Sequence, residues 1–291
     1  MKLVLGSAQF GTPYGLFNKK KISLKNIQKI EKFILDKEIN FIDTAFAYGD
    51  SEKIIGNSKL NKLNIITKIK IPKNKKKDIK TFVQEEIFKS LSRLKVAHIY
   101  GLLVHDVTDL FGTRGKIFLS CLQNLKKKKI IKKIGVSIYS PNDLKKIWKF
   151  WKPDIVQAPF NVFDQRILTS GWIDILKKFK IQIFVRSCFL QGLLICKKYN
   201  LLKIDKDLKF SLDRFNYWCR LNKISNLQAS LNFVKQFKRI DFVVVGFNDY
   251  IQLKEIVNAF KKKNKKLPNN FRINNSTIID PRKWNLKKIK F

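Results

Sequence analysis

Residues 41–52 have the sequence FIDTAFAYGDSE, which contains most of a strand, a loop and the start of a helix. An apolar pair runs into Asp43, small residues follow, and Ser51 with Glu52 behind it gives a helix-start signal. Similar short apolar runs recur along the chain, separated by longer amphipathic stretches. This alternation is typical of βα units around a parallel sheet.

Eight apolar runs are predicted to form strands, and stretches with helical spacing lie between them, such as the one from Ile79 to Leu94. Eight strands with a helix after each predict an α/β fold, a single-domain (β/α)8 barrel of the TIM type spanning residues 1–291. Residues 264–291 lack clear periodicity, so we expect a polar C-terminal tail there. The predicted strands are 3–8, 41–45, 64–69, 100–105, 133–137, 154–159, 181–187 and 241–246.

The formal net charge of +39 would suggest a polyanionic partner, because clustered cations bind nucleic acid. The chain has 52 Lys against 9 Arg, however, and the lysines are spread from end to end beside abundant Ile, Asn and Phe. These four residue types have AT-rich codons. We therefore favour the interpretation that an AT-rich genome accounts for the many lysines, which lie on solvent-exposed faces, over a specific nucleic-acid or membrane surface. Polyanion binding remains an alternative.

The cysteines and histidines do not suggest a metal site. Four cysteines occur without a CxxC motif, and the only histidines are His98 and His105, so a zinc cluster lacks ligands. The first residues contain only three apolar residues in a row, and no run of 18 apolar residues occurs. We expect a cytoplasmic protein with reduced thiols and no membrane insertion.

Polar residues at strand ends predict the active site, because TIM barrels place it at the C-terminal ends of their strands. Asp43, Lys68 and His105 end the second, third and fourth apolar runs, and Tyr48 follows Asp43 in the next loop. We expect the Tyr48 hydroxyl within hydrogen-bonding reach of Lys68, whose charge would lower the tyrosine pKa. Asp43 would be the counter-ion of Lys68, and His105 would orient a carbonyl group. Such a set fits carbonyl reduction with Tyr48 as proton donor.

The chain also resembles the aldo-keto reductases. The matching segments cover residues 3 to 263 and include LGSAQFGTPYG (5–15), FIDTAFAYGDSEKIIG (41–56), LLVHD (102–106), KIGVSIYSP (133–141), VQAPFNVFDQR (156–166), RSCFLQGLL (186–194) and VVVGFNDYIQLKE (243–255). The resemblance implies an NAD(P)H-dependent oxidoreductase, with Tyr48 as proton donor, Lys68 as its activator, Asp43 as partner of Lys68 and His105 as the orienting group.

The same resemblance implies cofactor-binding positions in three groups. Ser137 and Gln157 match residues that hold the nicotinamide carboxamide. Arg186 stands where many members stack an aromatic ring on the nicotinamide, and we expect its planar guanidinium to stack there instead. The remaining matches are the pyrophosphate loop, Ser187, Leu190, Gln191 and Gly192, and the adenosine end, Gly246, Asn248, Gln252 and Glu255.

This chain departs from the family pattern at some of these positions. Ile138 replaces a frequent Asn, and Gln252 stands where some members use an Arg against the 2′-phosphate. Lysines such as Lys254 offer replacement charge, so NADP(H) is favoured over NAD(H). The hairpin that many members place before the first strand has almost no room ahead of Leu3.

The expected activity is reduction of an aldehyde or ketone to an alcohol, with a small-molecule carbonyl as substrate. Segments such as SAQFGTPYG are similar to a branch of the family found among sugar and polysaccharide genes, which favours a sugar-derived carbonyl. The alternative is a regulatory protein that binds the cofactor but turns over little. We expect a monomer or a small homo-oligomer, with no specific nucleic-acid partner.

Overall fold

The computed structural model describes residues 1–17, 20–35, 37–72, 78–197, 199, 204–263 and 265–284. Within these ranges eight strands form a closed barrel in chain order, and each strand pairs in parallel with the next. The strands are β1 (Lys2–Gly6), β2 (Phe41–Asp43), β3 (Asn64–Ile69), β4 (Ile99–Val104), β5 (Ile131–Ser137), β6 (Ile155–Pro159), β7 (Gln182–Arg186) and β8 (Phe242–Val245).

The predicted strands are confirmed, with ends that agree to within two residues. The first and last strands close the barrel, since Lys2 pairs with Phe242 and Leu5 with Val245. β1 ends earlier than predicted, at Gly6. The Ser7 N–H still bonds the Asp43 carbonyl of β2, but the chain turns there because a short helix begins at Ala8.

Helices surround this barrel and carry their apolar faces against it. The α-helices are α1 (Ala8–Gly11), α2 (Leu24–Leu35), α3 (Ser51–Gly56), α4 (Ile79–Leu94), α5 (Gly112–Lys127), α6 (Pro141–Ile147), α7 (Arg166–Thr169), α8 (Trp172–Lys178), α9 (Lys206–Leu221), α10 (Asn226–Lys235), α11 (Tyr250–Lys261) and α12 (Ser276–Ile279). Short 3₁₀ segments occur at Lys59–Lys62, Val107–Leu110, Leu190–Ile195, Asn269–Phe271 and Pro281–Lys283.

Two apolar clusters form the core. The larger lies between the strands and the helices, and the smaller fills the inside of the barrel with side chains from seven of the eight strands. Near the strand beginnings the inner cluster contains four aromatic rings, from Phe41, Tyr100, Phe184 and Phe242, which we call the aromatic plug. Phe184 and Phe242 stack with ring centroids 4.2 Å apart, and Phe41 lies 4.7 Å from Phe242 and 5.0 Å from Tyr100.

The described part of the predicted polar tail, residues 265–284, packs on the barrel. Leu267, Phe271, Ile278 and Ile279 are buried in the larger core cluster. Residues 264 and 285–291 of that prediction lie outside the described residues. No helix in the described ranges is long and apolar enough to span a membrane.

Candidate active site

The four predicted catalytic residues come from three neighbouring strands. Asp43 ends β2, Lys68 lies in β3, His105 directly follows β4, and Tyr48 lies between β2 and α3. Because β2, β3 and β4 are adjacent in the barrel, these positions share its C-terminal edge. The structure therefore brings the four residues together as the strand order predicts.

Lys68 and Asp43 form a buried ion pair. Lys68 Nζ lies 2.6 Å from Asp43 Oδ2, and the two side chains are 2% and 6% exposed. Lys68 also donates to the Thr44 carbonyl at 2.8 Å, and Gln157 Nε2 donates to Asp43 Oδ1 at 2.7 Å. Both carboxylate oxygens thus have a donor, which offsets the cost of removing the charges from water.

Contacts with the loop after β1 hold Tyr48 in place. Gly11 approaches so closely that a Cβ there would lie 1.6 Å from the Tyr48 carbonyl oxygen. Gly49 has a φ of +53°, and a Cβ on it would lie 2.6 Å from the Gly11 carbonyl oxygen. Two glycines at this crossing therefore allow the two loops to touch.

Ser51 ties the same loops together instead of capping α3. It is the first residue of the helix, and the preceding Asp50 makes no side-chain cap bond. Ser51 Oγ donates to the Ser7 carbonyl at 3.0 Å and lies 2.7 Å from Ser7 Oγ and 3.0 Å from Thr44 Oγ1. The helix start was placed correctly from the sequence, but the serine side chain serves the loop–loop contact.

Glu52 anchors the helix that follows Tyr48, a role the sequence analysis missed. Its side chain is 1% exposed and forms an ion pair at 2.7 Å with Arg93 of α4. Thr67 Oγ1 and Ser90 Oγ also donate to it, at 2.8 and 2.7 Å. The sequence shows only an acidic residue at a helix start, because its partners lie in β3 and α4.

Tyr48 lies between the ion pair and His105. Lys68 Nζ is 5.1 Å from the centroid of the Tyr48 ring, and the His105 ring is 6.2 Å away at an interplanar angle of 84°. The expected hydrogen bond between the Tyr48 hydroxyl and Lys68 is absent among the described residues, so that prediction is wrong in this geometry. The ammonium donates instead to Asp43 and to the Thr44 carbonyl.

The pKa of Tyr48 is raised, against the expectation that Lys68 would lower it. Burial is the largest cause, the charge of Asp43 adds to it, and the charge of Arg186 opposes it. Asp43 largely neutralises Lys68 at 2.6 Å, so burial dominates the tyrosine environment. Tyr48 therefore keeps its proton through the neutral pH range.

His105 is neutral at neutral pH. Burial lowers its pKa to about 3, and the positive charges of Lys68 and Arg186 act in the same direction. A neutral imidazole carries one N–H donor and one acceptor nitrogen. His105 can therefore give a hydrogen bond to an oxygen without being an acid itself.

A cleft of about 550 Å³ opens beside these residues. Most of the predicted cofactor-binding residues line it together with Asp43 and Tyr48; they are Arg186, Ser187, Gln191, Gly192, Gly246, Asn248 and Gln252. The other four predicted residues are placed differently. Ser137 and Gln157 are buried at strand ends, Leu190 is buried within the loop, and Glu255 is exposed on α11.

Two buried acceptors near the cleft suit a ligand that carries N–H groups. Gln157 Oε1 and Gln9 Oε1 are buried without a hydrogen-bond partner among the described residues. Buried polar atoms are normally satisfied, so such an atom beside a cleft points to a donor supplied by a ligand or water. Gln157 also holds Asp43, so it could link the ion pair to a carboxamide.

The loop after β7 has an unusual backbone. Ser187, Leu190, Gln191 and Gly192 have φ values of 60°, 47°, 59° and 93°, in the left-handed region. Backbone turns of this kind direct successive N–H groups into a concave surface that suits an anion. Together with the size of the cleft and the unpartnered acceptors, this loop fits a dinucleotide cofactor.

The adenosine end of the predicted site lies at the start of α11. Asp249 caps this helix by accepting from the Gln252 N–H at 2.8 Å, and Gln252 Oε1 accepts from the Asn248 N–H at 2.7 Å. Gln252 lines the cleft, whereas Lys254 is exposed on the same helix.

Some residues of the cleft escaped the sequence analysis. Gln9, which follows β1 and is 6% exposed, lines the cleft, as does Tyr14, whose hydroxyl lies 3.2 Å from Gln191 Nε2. Extending the strand-end rule to the first strand would have found Gln9. Tyr139 contacts Arg186, but its position two residues after a strand gave no signal.

Comparisons with known proteins agree with this geometry. The model of the Aldo/keto reductase family matches residues 2–269. The uncharacterized oxidoreductase YqkF of Bacillus subtilis (strain 168) is 25% identical over 243 residues, which are 76% of this chain and 78% of that protein.

Solved structures show the same fold. The aldo-keto reductase AKR11C1 from Bacillus halodurans, in its holo form, superposes with a TM-score of 0.70 at 18% identity and covers 91% of this chain and 88% of that chain. The glycerol dehydrogenase AKR11B4 from Gluconobacter oxydans has a TM-score of 0.69 at 21% identity, over 92% and 88% of the two chains.

Proposed function

The chain belongs to the Aldo/keto reductase family and is an NAD(P)H-dependent oxidoreductase, and from this premise we propose that it reduces an aldehyde or ketone with Tyr48 as proton donor. The observation that carries the proposal is the placement of a protonated Tyr48 between the Lys68–Asp43 pair and His105, at the edge of a cleft with room for a dinucleotide.

The nicotinamide cofactor, when bound, supplies the hydride that adds to the carbonyl carbon. The oxygen then gains negative charge, and the Tyr48 O–H donates its proton to it, which gives the alcohol. The ammonium of Lys68, 5.1 Å from the Tyr48 ring centroid, stabilises the phenolate that remains. Asp43 pairs with that ammonium at 2.6 Å and holds it in a buried position.

His105 positions the carbonyl in this proposal. Because its pKa is lowered to about 3, it presents a neutral N–H that can donate to the carbonyl oxygen. A protonated histidine would be a competing acid. The neutral form leaves proton donation to Tyr48.

The cofactor is proposed to lie along the cleft from Gln157 to Gln252. Gln157 Oε1 would accept from the carboxamide, the loop of residues 187–192 would hold the pyrophosphate, and Asn248 and Gln252 would contact the adenosine end. We propose NADP(H) in preference to NAD(H), supported by the exposed Lys254 near Gln252. Quenching of tryptophan fluorescence by each cofactor measures the preference, and tighter binding of NADH would refute it.

A sugar-derived carbonyl is the proposed substrate class. Support comes from the motifs SAQFGTPYG, GVSIYSP and RSCFLQGLL. A panel of simple aldehydes and keto-sugars, assayed with both cofactors, tests this class.

Replacement of Tyr48 by Phe tests the proton donor. Tyr48→Phe should lower kcat by about 10²- to 10⁴-fold, because the donor is lost, while cofactor affinity stays near that of the parent. Tyr217→Phe is the matched control, since Tyr217 is 57% exposed on α9. Unchanged turnover in Tyr48→Phe would refute the assignment. Hydride transfer in a single turnover of the parent, without steady-state turnover, would instead favour a regulatory role.

A further inference from the structure

Arg186 is a half-buried cation in the lining of the cleft. It ends β7 and lines the cleft together with Asp43 and Tyr48. Its Nη2 donates to the Ile138 carbonyl at 3.1 Å and its Nη1 to Ser187 Oγ at 3.3 Å. The guanidinium also lies 4.4 Å from the centroid of the Tyr139 ring. These contacts fix its orientation without neutralising its charge.

Several other buried or half-buried cations of the chain are neutralised by a carboxylate. Arg93 pairs with Glu52 and Arg166 with Asp164, each at 2.7 Å, and Lys68 pairs with Asp43. Within the described ranges, Arg186 forms no ion pair with a carboxylate.

Arg186 therefore has both charge and donors to offer a ligand. It uses two of its five N–H donors in contacts with described residues. A half-buried guanidinium with spare donors and no counter-ion is suited to bidentate binding of a carboxylate or phosphate.

Arg186 lies near the reacting groups and not only near the phosphate loop. It lines the same cleft as Tyr48 and Asp43, and its guanidinium reaches from the end of β7 to the Ile138 carbonyl just after β5. The left-handed backbone at Ser187 and at residues 190–192 already offers separate N–H groups for the phosphates of the cofactor. An anion held by Arg186 would thus lie beside the carbonyl.

We propose that Arg186 binds a carboxylate or phosphate group of the carbonyl substrate, so that the enzyme selects anionic aldehydes or ketones. This inference rests on the proposed function and narrows its substrate class. The guanidinium would hold the anion through its N–H groups while Tyr48 and His105 contact the carbonyl oxygen, and this role would replace the stacking on the nicotinamide that the family resemblance implies for this position.

Pairs of charged and neutral substrates test the proposal. The probes are succinic semialdehyde against butyraldehyde, and glyceraldehyde 3-phosphate against glyceraldehyde, each at saturating NADPH. The parent enzyme should prefer the charged member of at least one pair. In Arg186→Gln, the ratio of kcat/KM for that member to kcat/KM for its neutral partner should fall by about 10- to 100-fold, whatever loss the two substrates share. Arg186→Lys, which keeps the charge but not the planar guanidinium, should lie in between.

Arg282→Gln is the matched control. Arg282 also lies over the Tyr139 ring, at 3.5 Å from its centroid, but it is paired with Asp280. Its replacement removes one positive charge from the same neighbourhood and should leave the ratio of charged to neutral substrate unchanged. Thermal melting of each variant shows whether it is folded. If Arg186→Gln does not fold, the substrate ratio of Arg186→Lys is compared with that of the parent instead.

The outcomes separate the sources of the anion. Equal losses for charged and neutral substrates, or a parent enzyme that prefers the neutral members, would overturn the inference and leave the proposed function standing. A weaker affinity for NADPH in Arg186→Gln, measured by tryptophan fluorescence, with an unchanged substrate ratio would assign the anion to the cofactor and also overturn it. No reduction of any carbonyl by the parent would refute the proposed function itself.

Discussion

Lys68 and Asp43 form a buried ion pair on which both the stability of the fold and the proposed active site depend. Their side chains are 2% and 6% exposed, so neither charge can be left without its partner. Asp43 also accepts from Gln157, which connects the pair to the cofactor side of the cleft. Lys68 and Asp43 therefore have two roles, since they belong to the proposed active site and also form a buried ion pair on which the fold depends.

Replacing only one member of the Lys68–Asp43 pair should lower the free energy of unfolding more than replacing both. Lys68→Met leaves a buried carboxylate with one amide donor, and we expect the free energy of unfolding to fall by about 3–5 kcal/mol. The double variant Asp43→Asn with Lys68→Met should regain much of that loss. Urea denaturation at neutral pH measures both.

The control for this prediction is Lys70→Met. Lys70 pairs with Asp106 at 2.8 Å, but the side chains are 46% and 35% exposed, so the loss should stay below about 1 kcal/mol. Equal losses for Lys68→Met and Lys70→Met would show that burial of the first pair has little effect on stability.

Sequence reasoning predicted where the proposed catalytic residues lie in the barrel but not which hydrogen bonds they form. Asp43, Lys68 and His105 each end an apolar run, which is visible in the sequence. Whether the Lys68 ammonium bonds the Tyr48 hydroxyl or the Thr44 carbonyl depends on distances of about one ångström. Glu52 was missed for the same reason, since its burial arises from the packing of α3 on α4.

At the scale of elements, the strands were predictable because alternation of apolar runs and amphipathic stretches is a local signal. The backbone of residues 187–192 was not predictable. Ser187, Leu190 and Gln191 have positive φ values, which residues other than glycine rarely adopt. The family resemblance placed this loop at the cofactor, and the structure explains how its backbone could serve there.

The crossing of the loops after β1 and β2 gives a prediction at this scale. Gly11→Ala would place a Cβ 1.6 Å from the Tyr48 carbonyl oxygen, so the loop carrying Tyr48 must move. We expect a loss of at least about 2 kcal/mol in unfolding free energy and a fall in kcat, because Tyr48 is displaced from His105.

Gly112→Ala is the control variant, because it introduces backbone strain without a steric clash. Gly112 has a φ of +70° with nothing within 4 Å of an added Cβ, so it should lose only about 1 kcal/mol and keep its activity. Chemical denaturation and steady-state assays measure both variants. Full activity in Gly11→Ala would mean that the loop contact does not position Tyr48.

For the whole molecule, the barrel was predictable from the number and order of the strands. The packing of residues 265–284 against the barrel was not predictable from the sequence. Leu267, Phe271, Ile278 and Ile279 are spaced irregularly in the sequence, so no period revealed that they share a buried face. Their contacts are with distant parts of the chain, which a local pattern does not record.

The net charge of +39 should make stability depend on salt. Like charges over the surface repel one another in the compact state, and ions screen that repulsion. Raising NaCl from about 0.02 to about 0.3 M should therefore raise Tm by a few degrees.

A Tm that is flat or falls with salt would contradict this prediction. It would show that local ion pairs, such as Lys126 with Asp154 at 2.6 Å, outweigh the net repulsion. Retention on heparin that disappears at moderate salt would show non-specific charge only, whereas a sequence-selective shift of DNA or RNA would indicate a true polyanion site.

The pairing of Lys2 with Phe242 has a consequence for how the protein is made. The first strand emerges from the ribosome long before its second neighbour exists, so one edge of the growing sheet stays open until β8 has been synthesised. Phe242 also completes the aromatic plug, so the inside of the barrel cannot be fully packed before that moment. Completion of the fold is therefore tied to the synthesis of β8, and a chain stalled before β8 would expose both an unpaired strand edge and an unfilled core.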